Sequence, residues 1–260
     1  ICYVHSPMRY IWDHYAWYSG LLGRVGRMYF SRLAHRLRIW DVTTAARVDH
    51  FVANSNFVAQ RIRRFYHRDA DVVHPPVDLD AFQLPEEACK RDSYLFVSQL
   101  VPYKRADLVI EAFRGTDQSL LVVGDGSQRA TLERNLPPNV RLLGKVPGEE
   151  LPALYQNARA LIFPAEEDFG IVPVEAMACG TPVLAYGRGG ARDSIIDGQT
   201  GYFFDDQSPE AIRDAIERFE KNKTQFDPEK ISEHASKFGA ERFRREFAAI
   251  VEQVMSRQSV

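Results

Sequence analysis

The sequence predicts an α/β fold built on a parallel sheet, and three observations carry that expectation. From Tyr94 onward, short β-branched or apolar runs alternate with amphipathic stretches, the pattern of repeated strand–helix units. The 260 residues are 45% hydrophobic and 26% charged with 16 Gly and 14 Pro, a globular balance that excludes collagen-like, coiled-coil and disordered classes. No run of eighteen apolar residues occurs, so no spanning helix is expected, and nothing repeats at a fixed period, which excludes a solenoid. A doubly wound sheet binds its ligands at the carboxyl ends of its strands.

Taken in order, strands are expected at Tyr3 to His5, Phe51 to Ala53 and Val72 to His74, with a helix at Ser55 to Tyr66 capped by Asn54 or Ser55. The polar stretch Phe82 to Asp92, with Pro85, Glu86, Glu87 and Lys90, reads as a connection, which places a domain boundary near residue 85. Beyond it, strands are expected at Tyr94 to Ser98, Leu120 to Val123, Val140 to Leu143, Ala160 to Pro164, Pro182 to Ala185 and Gly201 to Phe204. The intervening helices fall at Lys104 to Phe113, Ser127 to Asn135, Gly148 to Asn157, Val172 to Cys179 and Ala191 to Ile196. Helices at Pro209 to Asn222, Pro228 to Lys237 and Ala240 to Ser256 finish the chain, the last a candidate to cross back to the first part.

One segment of the first part stands apart. Leu22, Val25, Tyr29, Leu33, Leu37 and Trp40 recur at three- and four-residue steps, surrounded by Arg24, Arg27, Arg32, Arg36 and Arg38. Three readings of this basic amphipathic helix stand open: packing on its own domain, lying on anionic lipid through residues 21–40, or filling a partner's groove. Residues 1–80 hold 11 Arg and 7 Asp with no Lys or Glu, whereas the rest is acidic, although the whole chain nets only −2. Cys2, Cys89 and Cys179 are far apart and odd in number, which fits a reducing, cytoplasmic compartment. The opening Ile1-Cys2-Tyr3-Val4-His5 resembles mid-strand sequence without an initiator, so an N-terminal portion of a longer protein is expected to precede it.

The richest chemistry lies in Phe163-Pro-Ala-Glu-Glu-Asp-Phe-Gly-Ile-Val-Pro-Val-Glu-Ala-Met-Ala-Cys-Gly-Thr-Pro-Val183: a strand, an acidic loop and a helix start. The first amides of a helix lack internal partners and carry partial positive charge, so a diphosphate is stabilised against Gly170, Ile171 and Val172. Glu175, inside the first turns, can accept both hydroxyls of a ribose diol. Two Glu eight positions apart mean little alone among 35 acids; their context gives them weight. The stretch resembles the Glu-x7-Glu element of the retaining nucleotide-sugar transferases of glycosyltransferase family 4, with Phe-Gly after the first Glu and Glu-Ala-Met-Ala-x-Gly-x-Pro-Val at the second. The resemblance implies a GT-B fold: a doubly wound parallel-sheet donor-binding domain, residues 86–260, preceded by part of a second, Rossmann-like acceptor-side domain, residues 1–85. It also implies that Glu167 faces the transferred sugar, that Phe169 is among the donor-binding residues, and that Glu175 holds the donor ribose.

Two further segments are similar to the same family. Leu95-Phe-Val-Ser-Gln-Leu-Val-Pro-Tyr-Lys-Arg-Ala-Asp-Leu-Val-Ile-Glu-Ala-Phe113 looks like its first donor-domain unit, where a Lys contacts the diphosphate; Lys104 takes that place. Arg105 stands where many relatives have Gly, and Pro-Tyr-Lys-Arg is similar to the branch that uses GDP-mannose in bacterial polysaccharide assembly. Gln99 departs from the family's usual Arg, so either Arg105 supplies the missing charge or donor affinity and turnover are reduced. Tyr3-Val-His-Ser-Pro-Met-Arg-Tyr-Ile-Trp-Asp13 resembles the branch's stretch whose His serves the sugar site, which assigns His5 beside Glu167 and Lys104 as a catalytic candidate. Gly124 and Gly126 would let the chain turn near the donor, and Lys145 and Val146, after a strand, would meet the base by analogy.

The resemblance thus implies a retaining hexosyltransferase, with GDP-mannose favoured as donor and a glycan or lipid-linked oligosaccharide as acceptor, in the cytoplasm and peripheral on the inner membrane face. A UDP-sugar donor and a sugar-nucleotide binding module without turnover remain the alternatives. No metal or other cofactor is expected: Asp69-Ala-Asp71 and Asp78-Leu-Asp80 have the residues of a turn, and no His ligand pair occurs. Gly124-Asp-Gly126 lacks the third glycine of a dinucleotide fingerprint, Arg129 standing in its place. Asn222-Lys-Thr224 is a glycosylation sequon only in form for a cytoplasmic chain. No nucleic-acid module is recognisable, and no such partner is expected.

Overall fold

The computed structural model describes residues 1–87 and 89–258, and the chain divides into two compact units: Ile1–His74 with the chain's end from Arg244, and Pro75–Phe243. In the first unit β1 (Cys2–Val4), β2 (Phe51–Ala53) and β3 (Ala70–Val72) form a parallel sheet in sequence order. Its helices are α1 (Tyr15–Gly20), α2 (Arg24–Ala45) and α3 (Asn56–Tyr66). The Ser55 hydroxyl accepts from the Val58 amide at 3.0 Å, which starts α3, and Arg63 and Arg64 in its last turn suit the negative end of the helix dipole. Val58 and Ile62 of α3 close over Phe51 and Ala53 of β2. The third strand pairs two residues earlier than the sequence pattern places it. Val73 still donates to Ala53, but Pro75 and Pro76 follow without N–H groups, so the ladder cannot run on through His74.

The second unit holds six parallel strands, β4 (Ser93–Val97), β5 (Ser119–Val123), β6 (Val140–Gly144), β7 (Ala158–Phe163), β8 (Val183–Tyr186) and β9 (Gly201–Phe204), in the order β6-β5-β4-β7-β8-β9. Helices cover both faces: α4 (Ala106–Phe113), α5 (Arg129–Glu133), α6 (Leu151–Gln156), α7 (Ile171–Ala178), α8 (Ala191–Ser194), α9 (Pro209–Asn222) and α10 (Pro228–Ser236). Such strands are buried on both sides and read as unbroken apolar runs, as Val183–Tyr186 does. α9 shows the complementary pattern: Ser208 caps the Ala211 amide, Pro209 opens the first turn, and Ile212, Ala215, Ile216 and Phe219 form its buried stripe. A last helix, α11 (Ala240–Gln258), ends the described chain.

Three further sequence expectations need correction. The boundary lies before Pro75 rather than near 85, because the segment after it is fastened to the second unit: the Val77 amide donates to Phe238, Val77 is buried, and the Phe82 ring meets that of Tyr155. The helix expected from Lys104 starts at Ala106, since Pro102–Lys104 form a 3-10 turn and Arg105 has φ +58, a left-handed residue that no α-helix continues through. The helix expected over Ser127 to Asn135 keeps only Arg129–Glu133, stopping short of Pro137 and Pro138.

Candidate active site

The sheet order fixes where a site can form. The chain runs outward through β4, β5 and β6, then returns to lay β7 on the other side of β4, so the loops after β4 and β7 part in opposite directions. In sheets of this topology ligands bind at such a switch point, beside the carboxyl ends of the strands. Lys104 sits in the loop after β4 and Glu167 in the loop after β7, and the Lys104 ammonium donates to the Glu167 carboxylate across 63 positions of sequence. Both side chains are mostly withdrawn from solvent, 17% and 18% exposed, and the Tyr103 ring lies 5.2 Å beneath the ammonium.

Glycines let each of these two loops pack closely on a neighbouring loop. An added Cβ at Gly124 would stand 1.8 Å from the Ser98 carbonyl oxygen and one at Gly126 2.4 Å from that of Leu100. With those side chains absent, Leu100 donates to Asp125 and Gln128 to Leu100, so the loops after β4 and β5 are joined backbone to backbone. Gly190 does the same for the acidic loop: its amide donates to the Glu167 carbonyl at 2.8 Å, and a Cβ there would lie 2.2 Å from the Asp168 carbonyl oxygen. Gly189 backs onto Glu167 in the same way, at 2.5 Å. The sequence reading missed this pair; two adjacent glycines between a strand and a helix were the available signal.

The helix behind the acidic loop begins at Gly170, φ +88, where a Cβ would come 3.2 Å from the Phe163 ring. Ile171 and Val172 follow as the first two helical residues, and Pro173 offers no N–H, so the anion-facing donors of this terminus belong to Gly170, Ile171 and Val172 alone. Just over one turn along, Glu175 accepts the Tyr155 hydroxyl at 2.9 Å. Burial lifts the Glu175 carboxyl above the ordinary carboxylate range and the tyrosine donor draws it partly back. Burial first, and then the facing Glu175, hold the Tyr155 phenol well above its usual value, so it stays a donor. Tyr155 also escaped the sequence reading, for it lies on a different helix and nothing local marks it.

The remaining candidates divide. Arg105 turns its guanidinium to Asp107 at 3.4 Å, so its charge is shared with its own helix. Phe169 is 3% exposed with its ring 5.8 Å from that of Phe238; its side chain belongs to the core rather than to a ligand surface. Lys145 is exposed and Val146 half-buried beyond β6, an edge strand with β5 between it and β4. His5 belongs to the first unit, exposed just past β1, its carbonyl bonded by Asn54 and its ring edge-on to Tyr3. The turn after it is anchored by buried Arg61, which donates to Ser6 and Pro7 and pairs with Asp13.

Comparison with known proteins agrees with this geometry. Residues 81–239 match the model of the family described as "Glycosyl transferases group 1". The chain is 28% identical over 248 residues to the alpha-1,3/1,6-mannosyltransferase alg2 of Schizosaccharomyces pombe, covering 77% of this chain and 47% of that protein. It is 32% identical over 192 residues to a GDP-mannose-dependent phosphatidylinositol monomannoside mannosyltransferase of Mycolicibacterium smegmatis, covering 62% and 50%. A D-inositol 3-phosphate glycosyltransferase of Mycolicibacterium paratuberculosis matches at 32% over 59% of this chain and 40% of its own length. The chain thus spans about half the length of these curated relatives. Among solved structures, sucrose-phosphate synthase from Thermosynechococcus elongatus superposes with a TM-score of 0.74 at 22% identity, covering 84% of this chain and 61% of that one. Anabaena HepE in complex with UDP-glucose gives 0.72 at 21%, covering 87% and 69%. Strand order, switch-point loops and family match converge: the chain belongs to the group 1 glycosyl transferases and has the GT-B fold.

Proposed function

We propose that the second unit binds a nucleoside diphosphate sugar and that the protein transfers the hexose, with retention, to a glycan or lipid-linked acceptor. GDP-mannose is the favoured donor, which the mannosyltransferase relatives support. The observation that carries the reading is the Lys104–Glu167 pair at the β4/β7 switch point. In sugar transfer the bond from the anomeric carbon to the diphosphate breaks, and the phosphate oxygen leaves with the electron pair while the sugar becomes positive. Catalysis needs a fixed cation at the first and a negative group at the second. Lys104 with the amides of Gly170, Ile171 and Val172 serves the phosphates, and Glu167 serves the sugar. Glu175, oriented by Tyr155, takes the ribose, and no divalent ion is called for by this arrangement.

Calorimetry tests the donor site. GDP is expected to bind, and Lys104→Ala to weaken GDP far more than guanosine, because only the former carries the diphosphate. Equal losses for both would remove Lys104 from the phosphates. A UDP-sugar donor is the second reading, favoured by the UDP-glucose complex of HepE; tighter binding of UDP than of GDP would replace the first by it. Transfer measured on the full-length protein then separates an enzyme from a binding module, for nucleotide binding without turnover would overturn the transferase reading.

A further inference from the structure

The basic helix of the first unit has two apolar faces, and the described residues cover only one of them. Phe30, Ala34, Leu37, Asp41 and Ala45 face inward, with Ala34, Asp41 and Ala45 buried. Leu37 apart, the stripe that stands out in the sequence is on another side: Val25, Tyr29, Leu33 and Trp40 are spaced to share one face and are 66%, 67%, 53% and 55% exposed. Leu21, Leu22, Trp17 and Tyr18 extend it, all exposed, through the turn into α1. Arg32 and Arg36, both exposed, share this side of the helix, two turns on from Val25 and Tyr29.

The charge around this patch has one sign. Between His14 and Val48 the single acid is Asp41, which is buried and accepts the Trp12 indole N–H at 2.8 Å and the Tyr66 hydroxyl at 3.0 Å, whereas six Arg lie in the same span. Arg24 and Arg27 even occupy the first turn of α2, where the helix dipole disfavours cations and no acidic residue offsets them. A face of Trp, Tyr, Leu and Val bordered by Arg alone matches the boundary between headgroups and acyl chains of an anionic bilayer. It fits a second copy of itself badly, since a two-fold contact would oppose Arg to Arg.

We infer that α1 and α2 lay this face on an anionic lipid surface, with Val25, Tyr29, Leu33 and Trp40 inserted and Arg32 and Arg36 at the phosphates. The site is independent of the donor crevice and stands whatever nucleotide that crevice takes.

The test is sedimentation of the full-length protein with vesicles of phosphatidylcholine alone and of phosphatidylcholine with phosphatidylglycerol. Binding is expected to the mixed vesicles, to weaken with salt, and to fall by roughly tenfold or more in Arg32→Gln/Arg36→Gln. Tyr29→Ser/Leu33→Ser should abolish it while circular dichroism and nucleotide binding stay unchanged, as expected for exposed positions. Brominated lipid should quench tryptophan fluorescence, and Trp40→Phe should remove part of that quenching. Equal binding to both vesicles, no binding by the full-length protein, or a dimer that Tyr29→Ser dissociates would each overturn the inference.

Discussion

Glu175 carries two influences of opposite sign, and they can be separated. Burial raises its pKa and the Tyr155 hydroxyl lowers it, so in Tyr155→Phe the carboxyl should titrate higher still. If the carboxylate grips a ribose, nucleotide affinity falls as the pH drops through this raised value, and the acid limb of a binding-versus-pH curve should move upward in Tyr155→Phe; an unmoved limb would detach Glu175 from binding. Linkage gives stability the opposite trend: the folded protein holds this proton more tightly than the unfolded chain, so the group's favourable contribution exists at low pH and is lost as pH rises through the folded pKa. Glu175→Ala should weaken nucleotide binding by about 1.5 to 3 kcal/mol, the size of a lost charged hydrogen bond. At this scale the sequence was half legible. The Glu-x7-Glu element and Lys104 could be picked out because the segments around them resemble those of a known family. Tyr155 could not, because its link to Glu175 is made only once α6 and α7 pack. Arg105 shows a milder limit: the Gly common in relatives at its place hinted at the left-handed backbone that keeps α4 from starting at Lys104.

Individual elements show what periodicity can and cannot tell. The six apolar runs of the second unit were readable as strands because parallel strands sealed by helices need no polar face. The stripe on α2 was equally plain, yet its destination was not: the inward face, with Ala34, Asp41 and Ala45, is too small and polar to register as amphipathic, so the more conspicuous stripe is the one left outside. Glycine contacts govern the loops in a way that spacing only hints at. Gly190→Ala keeps an ordinary φ of −72 but drives a methyl into the Asp168 carbonyl. The expected result is a loss of about 1 to 3 kcal/mol in unfolding free energy, the usual cost of a steric insertion, with turnover reduced more than nucleotide affinity because Glu167 is displaced while Glu175 is not. Denaturant titration beside calorimetry checks both parts.

For the molecule as a whole, the chief revision is where one unit ends. The polar stretch from Phe82 to Asp92 has the composition of a linker, but Val77, Leu79 and Phe82, up to its first residue, pack on the second unit's core. A chain of residues 75–243 is therefore expected to bind nucleotide about as tightly as the 260 residues do, since every donor-side candidate lies within it. A chain starting at residue 93 should be less stable by several kcal/mol, about 1.5 to 3 for each large apolar side chain whose burial is forfeited. Matched stabilities of the two fragments would restore the later boundary. The sheet order has its own consequence. The strands that carry Lys104 and Glu167 are neighbours in space but belong to opposite wings of the sheet, one assembled outward to β6 and the other to β9. On the proposed donor site, a nucleotide sugar held between them would act as a rivet through both wings: unfolding would have to let go of the ligand before either wing could peel away, so donor should raise the melting temperature of the finished sheet and give nothing to a half-built one.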